Sequence, residues 1–241
     1  GVIQPIDQIA GMLRDRCPES LLLVDAAQTE GVLPIDVRGL GADLLAFGAH
    51  KGLRGPSGVG GLWIGPRAWS DGPRVRRIRP VRCGGTGTAS EGDAMPDALP
   101  LAFEAGSANT AGIAGLGAAV DAHDPQAIQR SRSLSTELLE RLHGRFGDAI
   151  EVNAHERGSR FEHALPTLAL NFQGWDAGDL AQILDASFGI AVRAGLHCSP
   201  RCHEAMGTME RGGALRVSLG SSTTAQDIER LLDALGQILG E

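Results

Sequence analysis

The chain has 241 residues, of which 42% are apolar, 21% charged and 4% aromatic, and its formal net charge is -7. That length suits one large domain or two modest ones, and the composition excludes a disordered chain. The acidic balance argues against a nucleic-acid partner, and no apolar run approaches the length of a membrane span.

Helical spacing over residues 5–16 puts Ile6, Ile9, Met12 and Leu13 on one face. Residues 21–24 are a short apolar run that reads as a buried parallel strand, with 43–47 a second and 58–64 a third. Strands alternating with helices predict an α/β sheet. The basic cluster "RVRRIRPVR" at 74–82 reads as a solvated loop or subunit contact, with a phosphate or acidic-partner site as the alternative. "GGTGTASEG" at 84–92 is a turn-rich loop. An Ala/Gly-rich helix is expected over 108–123, with Asn109 near its start. A second covers 125–146, with Asp124 as cap and Pro125 in the first turn. Beyond about residue 149 the pattern becomes strand (149–152), strand (167–172), helix (176–187), strand (190–193), short helix, strand (214–219) and helix (224–239). The expected organisation is a large-domain portion over 1–118 and a smaller α+β domain over 119–241.

In open parallel sheets, ligands bind beyond the carboxyl ends of the strands. Asp25 follows one predicted strand, and His50 and Lys51 follow the next. Asp25, Gln28, His50 and Lys51 are therefore expected at one crevice. A lysine and a carboxylate converging there suit pyridoxal phosphate: the amine forms a Schiff base, and the carboxylate holds a proton on the pyridine nitrogen. Lys51 is the single lysine of the chain. Each residue alone has a plainer role, Asp25 as a turn residue and Lys51 as a solvated charge. Their joint arrangement before the glycine-rich "GLRGPSGVGG" carries the argument.

Five ordered motifs carry a resemblance to a family. "VDAAQTEGVLPIDV", "GAHKGLRGPSGVG", "FEAGSANTAGIAGL", "VRAGLHCSP" and "LRVSLGSSTTAQDIERLLDAL" resemble segments of the class V aminotransferases, the fold-type I pyridoxal phosphate enzymes. Within them the chain is similar to the cysteine desulfurase and selenocysteine lyase branch. The resemblance implies a large domain with a mostly parallel sheet and a smaller C-terminal α+β domain. It implies that Asp25 partners the pyridine nitrogen, that Gln28 contacts the ring hydroxyl, and that His50 lies near the phosphate. Lys51 would be the Schiff-base lysine. Ser107, where the family usually has Thr, would reach the phosphate of the neighbouring subunit's cofactor. Cys198 would accept sulfur as a persulfide while L-cysteine becomes L-alanine, and Arg216 would bind the substrate carboxylate. The implied enzyme is a cytoplasmic homodimer that passes sulfur to an acceptor protein, as in iron–sulfur cluster assembly.

Cys198 has a plainer reading as a small buried hydrophobe, and Arg216 as half of a structural ion pair. His197 and Arg193, near Cys198 in sequence, would help a thiolate form, and helix-start amides would serve as well. In "HCSPRCH" the ligand-type residues crowd together, without the separated pairs of a structural zinc site, so no metal is expected. A reversible Cys198–Cys202 disulfide is the other reading of that segment. The four cysteines, Cys17, Cys83, Cys198 and Cys202, form no disulfide-rich pattern, which points to a reducing cytoplasm. No signal peptide is visible.

The chain opens at "GVIQPIDQIA", where the family is already at its middle. The family's phosphate-binding Gly/Thr turn and its ring-stacking histidine have no counterpart here. Gly48 stands where relatives usually have Ser or Thr. The expectation is weak cofactor binding by this chain alone, because a helix start is a major anion site. The alternatives are selenocysteine lyase, another class V activity such as aminotransferase or racemase, and a non-catalytic scaffold or dimerisation partner.

Overall fold

The computed structural model describes residues 1–69, 77–85, 91–92, 94–153 and 164–240. The start of the basic cluster, at 74–76, and residues 86–90 of the turn-rich loop lie outside the described residues. Two compact units form, Pro5–His123 and Gly1–Gln4 with Asp124–Glu241. Among the described residues no helix is long and apolar enough to cross a membrane.

In the first unit, α1 (Ile6–Arg16) precedes β1 (Leu23–Asp25), β2 (Leu44–Gly48) and β3 (Gly60–Ile64). The sheet order is β1-β2-β3. β1 and β2 are parallel, with Asp25 opposite Ala46. β3 runs antiparallel to β2, contrary to the sequence reading. The connection over 49–59 contains no helix, and a parallel return needs a crossover of a dozen or more residues. β1 is not buried on both faces either, since Leu23 is 58% exposed. The small apolar core of Val24, Ala26, Ala42 and Leu45 gathers Ile6, Leu22, Ile35, Val37, Phe47 and Trp63 around it. On α1 only Ala10 is buried, and Ile9 and Met12 of the predicted apolar face are exposed. α2 (Thr110–Asp121) closes the unit, with the Asn109 side chain accepting from Gly112 N–H.

One buried charge ties these elements together. Asp43 is 2% exposed. Its Oδ2 accepts from Arg14 Nη2 at 2.7 Å and from Leu22 N–H at 2.8 Å, and its Oδ1 lies 3.2 Å from Arg67 Nε. α1, the start of β1, the start of β2 and the turn after β3 therefore meet at one carboxylate.

In the second unit, α3 (Pro125–Phe146) has Asp124 as N-cap, its side chain accepting from Gln126 N–H. β4 (Ile150–Val152), β5 (Thr167–Phe172), α4 (Ala177–Phe188), β6 (Arg193–Gly195), α5 (Pro200–Ala205), β7 (Ala214–Ser218) and α6 (Ala225–Leu239) follow. The four strands form an antiparallel sheet in the order β4-β5-β7-β6. Leu138 and Leu142 of α3, Leu180 and Leu184 of α4, and Leu231, Leu232 and Leu235 of α6 bury against Leu168, Leu170, Leu215 and Val217 of the sheet. Burying each such side chain stabilises the unit by roughly 1.5–3 kcal/mol relative to exposure. The strand read at 190–193 begins at Arg193 instead. Gly189, at φ +63°, ends α4, and Ile190 N–H turns back to Leu184 O at 2.9 Å. Residues 190–192 are thus spent closing the helix and packing on the core.

Asp43→Asn keeps the shape of the carboxylate but removes its charge and one acceptor. The expected loss is about 2–3 kcal/mol of stability, read as a lowered urea midpoint. An unchanged midpoint would show that the arginines find equivalent partners in water.

Candidate active site

Two groups of chemically active residues stand at strand ends, one in each unit. In the first unit, Asp25 closes β1 and is exposed. Ala27 N–H donates to its Oδ1 at 2.9 Å, which fixes the carboxylate and leaves the other oxygen without a partner among the described residues. Gln28, His50 and Lys51 are exposed. His50 and Lys51 follow β2 after the buried Ala49, whose N–H bonds to Val59 O.

A backbone contact brings the loops after β1 and β2 together. A Cβ on Gly31 would meet Leu53 N at 2.5 Å and Gly52 C at 2.6 Å, and a Cβ on Gly52 would strike the Glu30 carbonyl oxygen. Gly31 also sits at φ +74°, a region open to glycine without cost. Glycine at both positions lets Lys51 follow a loop that presses against the one carrying Gln28. Burial raises the Glu30 carboxyl above its ordinary value, and His123 opposes the rise. Ser107 is exposed between Gly106 and the Asn109 cap, and no described contact joins it to Asp25, Gln28, His50 or Lys51.

In the second unit the period of two along β7 buries Leu215 and Val217 and turns Arg216 to the other sheet face. Arg193 of β6 stands directly opposite Arg216. Like charges so placed repel. Burial, then Arg193, hold the Arg216 guanidinium below its ordinary range, and the Cys198 sulfur opposes this. Arg216 Nε is buried without a hydrogen-bond partner. A buried unsatisfied donor is costly, and an anion would satisfy it.

Cys198 is free and exposed rather than a buried hydrophobe. Arg193 Nη2 donates to its Sγ at 3.8 Å. His197 and Cys198 have φ +51° and +61°, two consecutive side-chain-bearing residues in the left-handed region. His197 Nε2 lies 2.9 Å from Ala214 O, a carbonyl that can only accept, so Nε2 carries the hydrogen. Nδ1 is then bare in the neutral ring, and it is buried without a partner. Burial holds the His197 imidazole below its ordinary value; the Ala214 hydrogen bond opposes this, while Arg216, His203 and Arg193 add to it. Behind the loop, buried His203 bonds through Nδ1 to Thr208 Oγ1 at 2.7 Å, and its ring centroid lies 5.5 Å from that of His197. No three His, Cys, Asp or Glu side chains gather as metal ligands among the described residues.

Reasoning from sequence named Arg193 only as a helper of the thiol and missed its register with Arg216. It missed the His203–Thr208 support as well. Only the spacing of those two across the end of a short helix hinted at it.

A family model described as aminotransferase class-V matches residues 1–231. The chain belongs to the class V aminotransferase family. Its mixed α/β fold agrees with that of solved cysteine desulfurases. That from Thermococcus onnurineus NA1, in an apo structure, superposes with a TM-score of 0.81 at 25% identity over 100% of this chain and 57% of its own. One from Escherichia coli, in an S-sulfonic acid form, gives 0.78 at 27% identity over 98% and 55%. A probable cysteine desulfurase of Methanothermobacter thermautotrophicus is 34% identical over 245 residues, 100% of this chain and 58% of the relative. A cysteine desulfurase of Yersinia pseudotuberculosis is 32% identical over 242 residues, 99% and 55%. The chain thus spans a little over half the length of these relatives.

Class V aminotransferases depend on pyridoxal phosphate. The residues present fit that group. Asp25 offers a positioned carboxylate with one open oxygen, and the Gly31–Gly52 contact sets the only lysine on the adjoining loop.

His197→Asn tests the neutral imidazole, since Asn tolerates a left-handed backbone. The folded-state value of His197 lies below 6.5. As pH falls through 6.5, the unfolded chain protonates first and stability is lost; above 6.5 both states are neutral there. The fall in thermal midpoint between about pH 7 and about pH 5 is expected to be smaller in His197→Asn than in the parent, read by calorimetry. An equal fall would place the acid sensitivity elsewhere.

Proposed function

We propose that this chain is the later part of a cysteine desulfurase, which converts L-cysteine to L-alanine and collects the sulfur as a persulfide on Cys198. The observation that carries the reading is an exposed thiol with a guanidinium on its sulfur, beside an arginine whose buried Nε lacks a partner.

Lys51 Nζ would hold the pyridoxal phosphate. When bound, that group supplies an electron sink for the substrate's Cα. Asp25 answers the charge of the pyridine nitrogen through its open oxygen, and Gln28 the ring hydroxyl. His50 and Ser107 serve the phosphate, Ser107 toward that of a second copy in a homodimer. The forked guanidinium of Arg216 takes the substrate carboxylate, and Arg193 adds positive charge on the same sheet face. Lys51 Nζ receives the proton from the substrate's Cα. The Cys198 thiolate, its charge met by Arg193, attacks the substrate sulfur. A sulfur–sulfur bond forms, the carbon–sulfur bond breaks, and its electrons stay with the carbon, which takes up a proton equivalent to the one the Cys198 thiol gave up and becomes the alanine methyl. Delivery to an acceptor protein of iron–sulfur cluster assembly, in the cytoplasm, completes the proposal.

Borohydride reduction in the presence of pyridoxal phosphate is expected to label the peptide containing Lys51 and no other, and the label should vanish in Lys51→Ala. A label that persists there would overturn the role of Lys51.

In the whole enzyme, Asp25→Asn should slow alanine formation roughly a hundredfold, the equivalent of about 3 kcal/mol of barrier. A rate within about twofold of the parent would make Asp25 a turn residue, since such a loss is under 0.5 kcal/mol. Cys198→Ser should abolish persulfide formation from cysteine. Selenocysteine as the sole substrate would move the assignment to the lyase.

A further inference from the structure

The second unit carries two exposed thiols in one short segment. Cys198 and Cys202 are both free and exposed, and only Ser199, Pro200 and Arg201 lie between them. Ser199 is the N-cap position of α5. Cys202 sits in the first turn, its N–H bonded to Ser199 O at 3.0 Å. Cys198 lies just ahead of that N-cap, and a persulfide extends a thiol by about 2 Å. The left-handed backbone at His197 and Cys198 carries the preceding strand into this turn. Cys202 is thus the next exposed thiol along the chain after Cys198.

We propose that Cys202 is a second sulfur carrier, which takes the outer sulfur from Cys198 by thiol–persulfide exchange. The proposal rests on the reading of Cys198 as the sulfur acceptor. The Cys202 thiolate attacks the outer sulfur of the Cys198 persulfide. A new sulfur–sulfur bond forms at Cys202, the one at Cys198 breaks, and Cys198 leaves as a thiolate. The outer sulfur keeps its hydrogen, and the proton that left the Cys202 thiol is matched by the one Cys198 regains. One persulfide replaces another, so no oxidant or reductant is consumed. Attack on the inner sulfur would instead expel hydrosulfide and leave a Cys198–Cys202 disulfide. The Arg193 guanidinium favours the first course, because it lies on the Cys198 sulfur that departs with negative charge. Cys17 and Cys83 are also free and exposed but belong to the other unit, and they serve as internal controls.

The 241-residue chain is mixed with limiting glutathione persulfide and quenched with an alkylating agent over time. Peptide mass spectrometry then counts the persulfide at each cysteine. Label should appear on Cys198 first and then on Cys202, ahead of Cys17 and Cys83. Cys198→Ser and Cys198→Ala should each slow Cys202 loading about tenfold or more, since the transfer is intramolecular. Cys202→Ser should hold the label on Cys198. The relay is overturned if Cys202 loads as fast without Cys198, if Cys202 stays unlabelled or merely matches the controls, or if a Cys198–Cys202 disulfide appears with released sulfide. A parallel loading of the whole enzyme with cysteine separates the two claims. Failure there alongside successful relay from glutathione persulfide counts against the desulfurase, and labelled Cys198 with unlabelled Cys202 counts against the relay alone.

Discussion

A buried carboxylate holds the first unit to one arrangement. Asp43 lies between two arginines and the Leu22 N–H, beside an apolar core that centres on four small or medium side chains. A lone buried charge costs several kcal/mol, so the network forms whole or not at all. Its reach sets the relative placement of β1 and β2, and with it the distance between Asp25 and the loop of Lys51. The Gly31–Gly52 contact then settles the last detail of that placement through backbone alone.

The second unit depends on bulk burial instead. Three helices cover one sheet face with leucines, so the other face is free to carry groups that oppose folding. Arg193 and Arg216 face each other there, Arg216 Nε and His197 Nδ1 go without partners, and the backbone at 197 and 198 is left-handed. Each is a local cost, and they cluster within one loop and two strand residues. The two arginines, with the unpartnered Nε of Arg216 among their donors, suit an anionic ligand, while the bare His197 Nδ1 suits a hydrogen-bond donor.

Much of this was legible in the residues. α3 could be bounded at both ends because Asp124 and Pro125 mark its start and Phe146-Gly147 its end. The ends of β1 and β2 could be found from two apolar runs, and the strand-end rule then singled out Asp25 and Lys51 without knowledge of pairing. The direction of β3 could not be read, because an apolar run carries no sign; only its short connection does. β6 was misplaced because Ile190 and Val192 look like strand residues but serve the core beyond α4. Asp43 was invisible as a hub, since an acid ahead of an apolar run looks the same whether it caps, turns or anchors. The Arg193–Arg216 pair needs register, which emerges only when two distant strands meet.

The left-handed geometry of His197 and Cys198 also bears on how such a loop can change. Outside glycine, this region costs roughly 1–2 kcal/mol per residue. Glycine at either position would relax the chain, so folding and reactivity pull in opposite directions here. Replacement of the imidazole or thiol residue by glycine is therefore the change the fold tolerates best. Screens that select for expression or heat resistance alone will tend to recover well-folded proteins that have lost the sulfur chemistry. β-branched residues at the same positions will be lost from both kinds of screen.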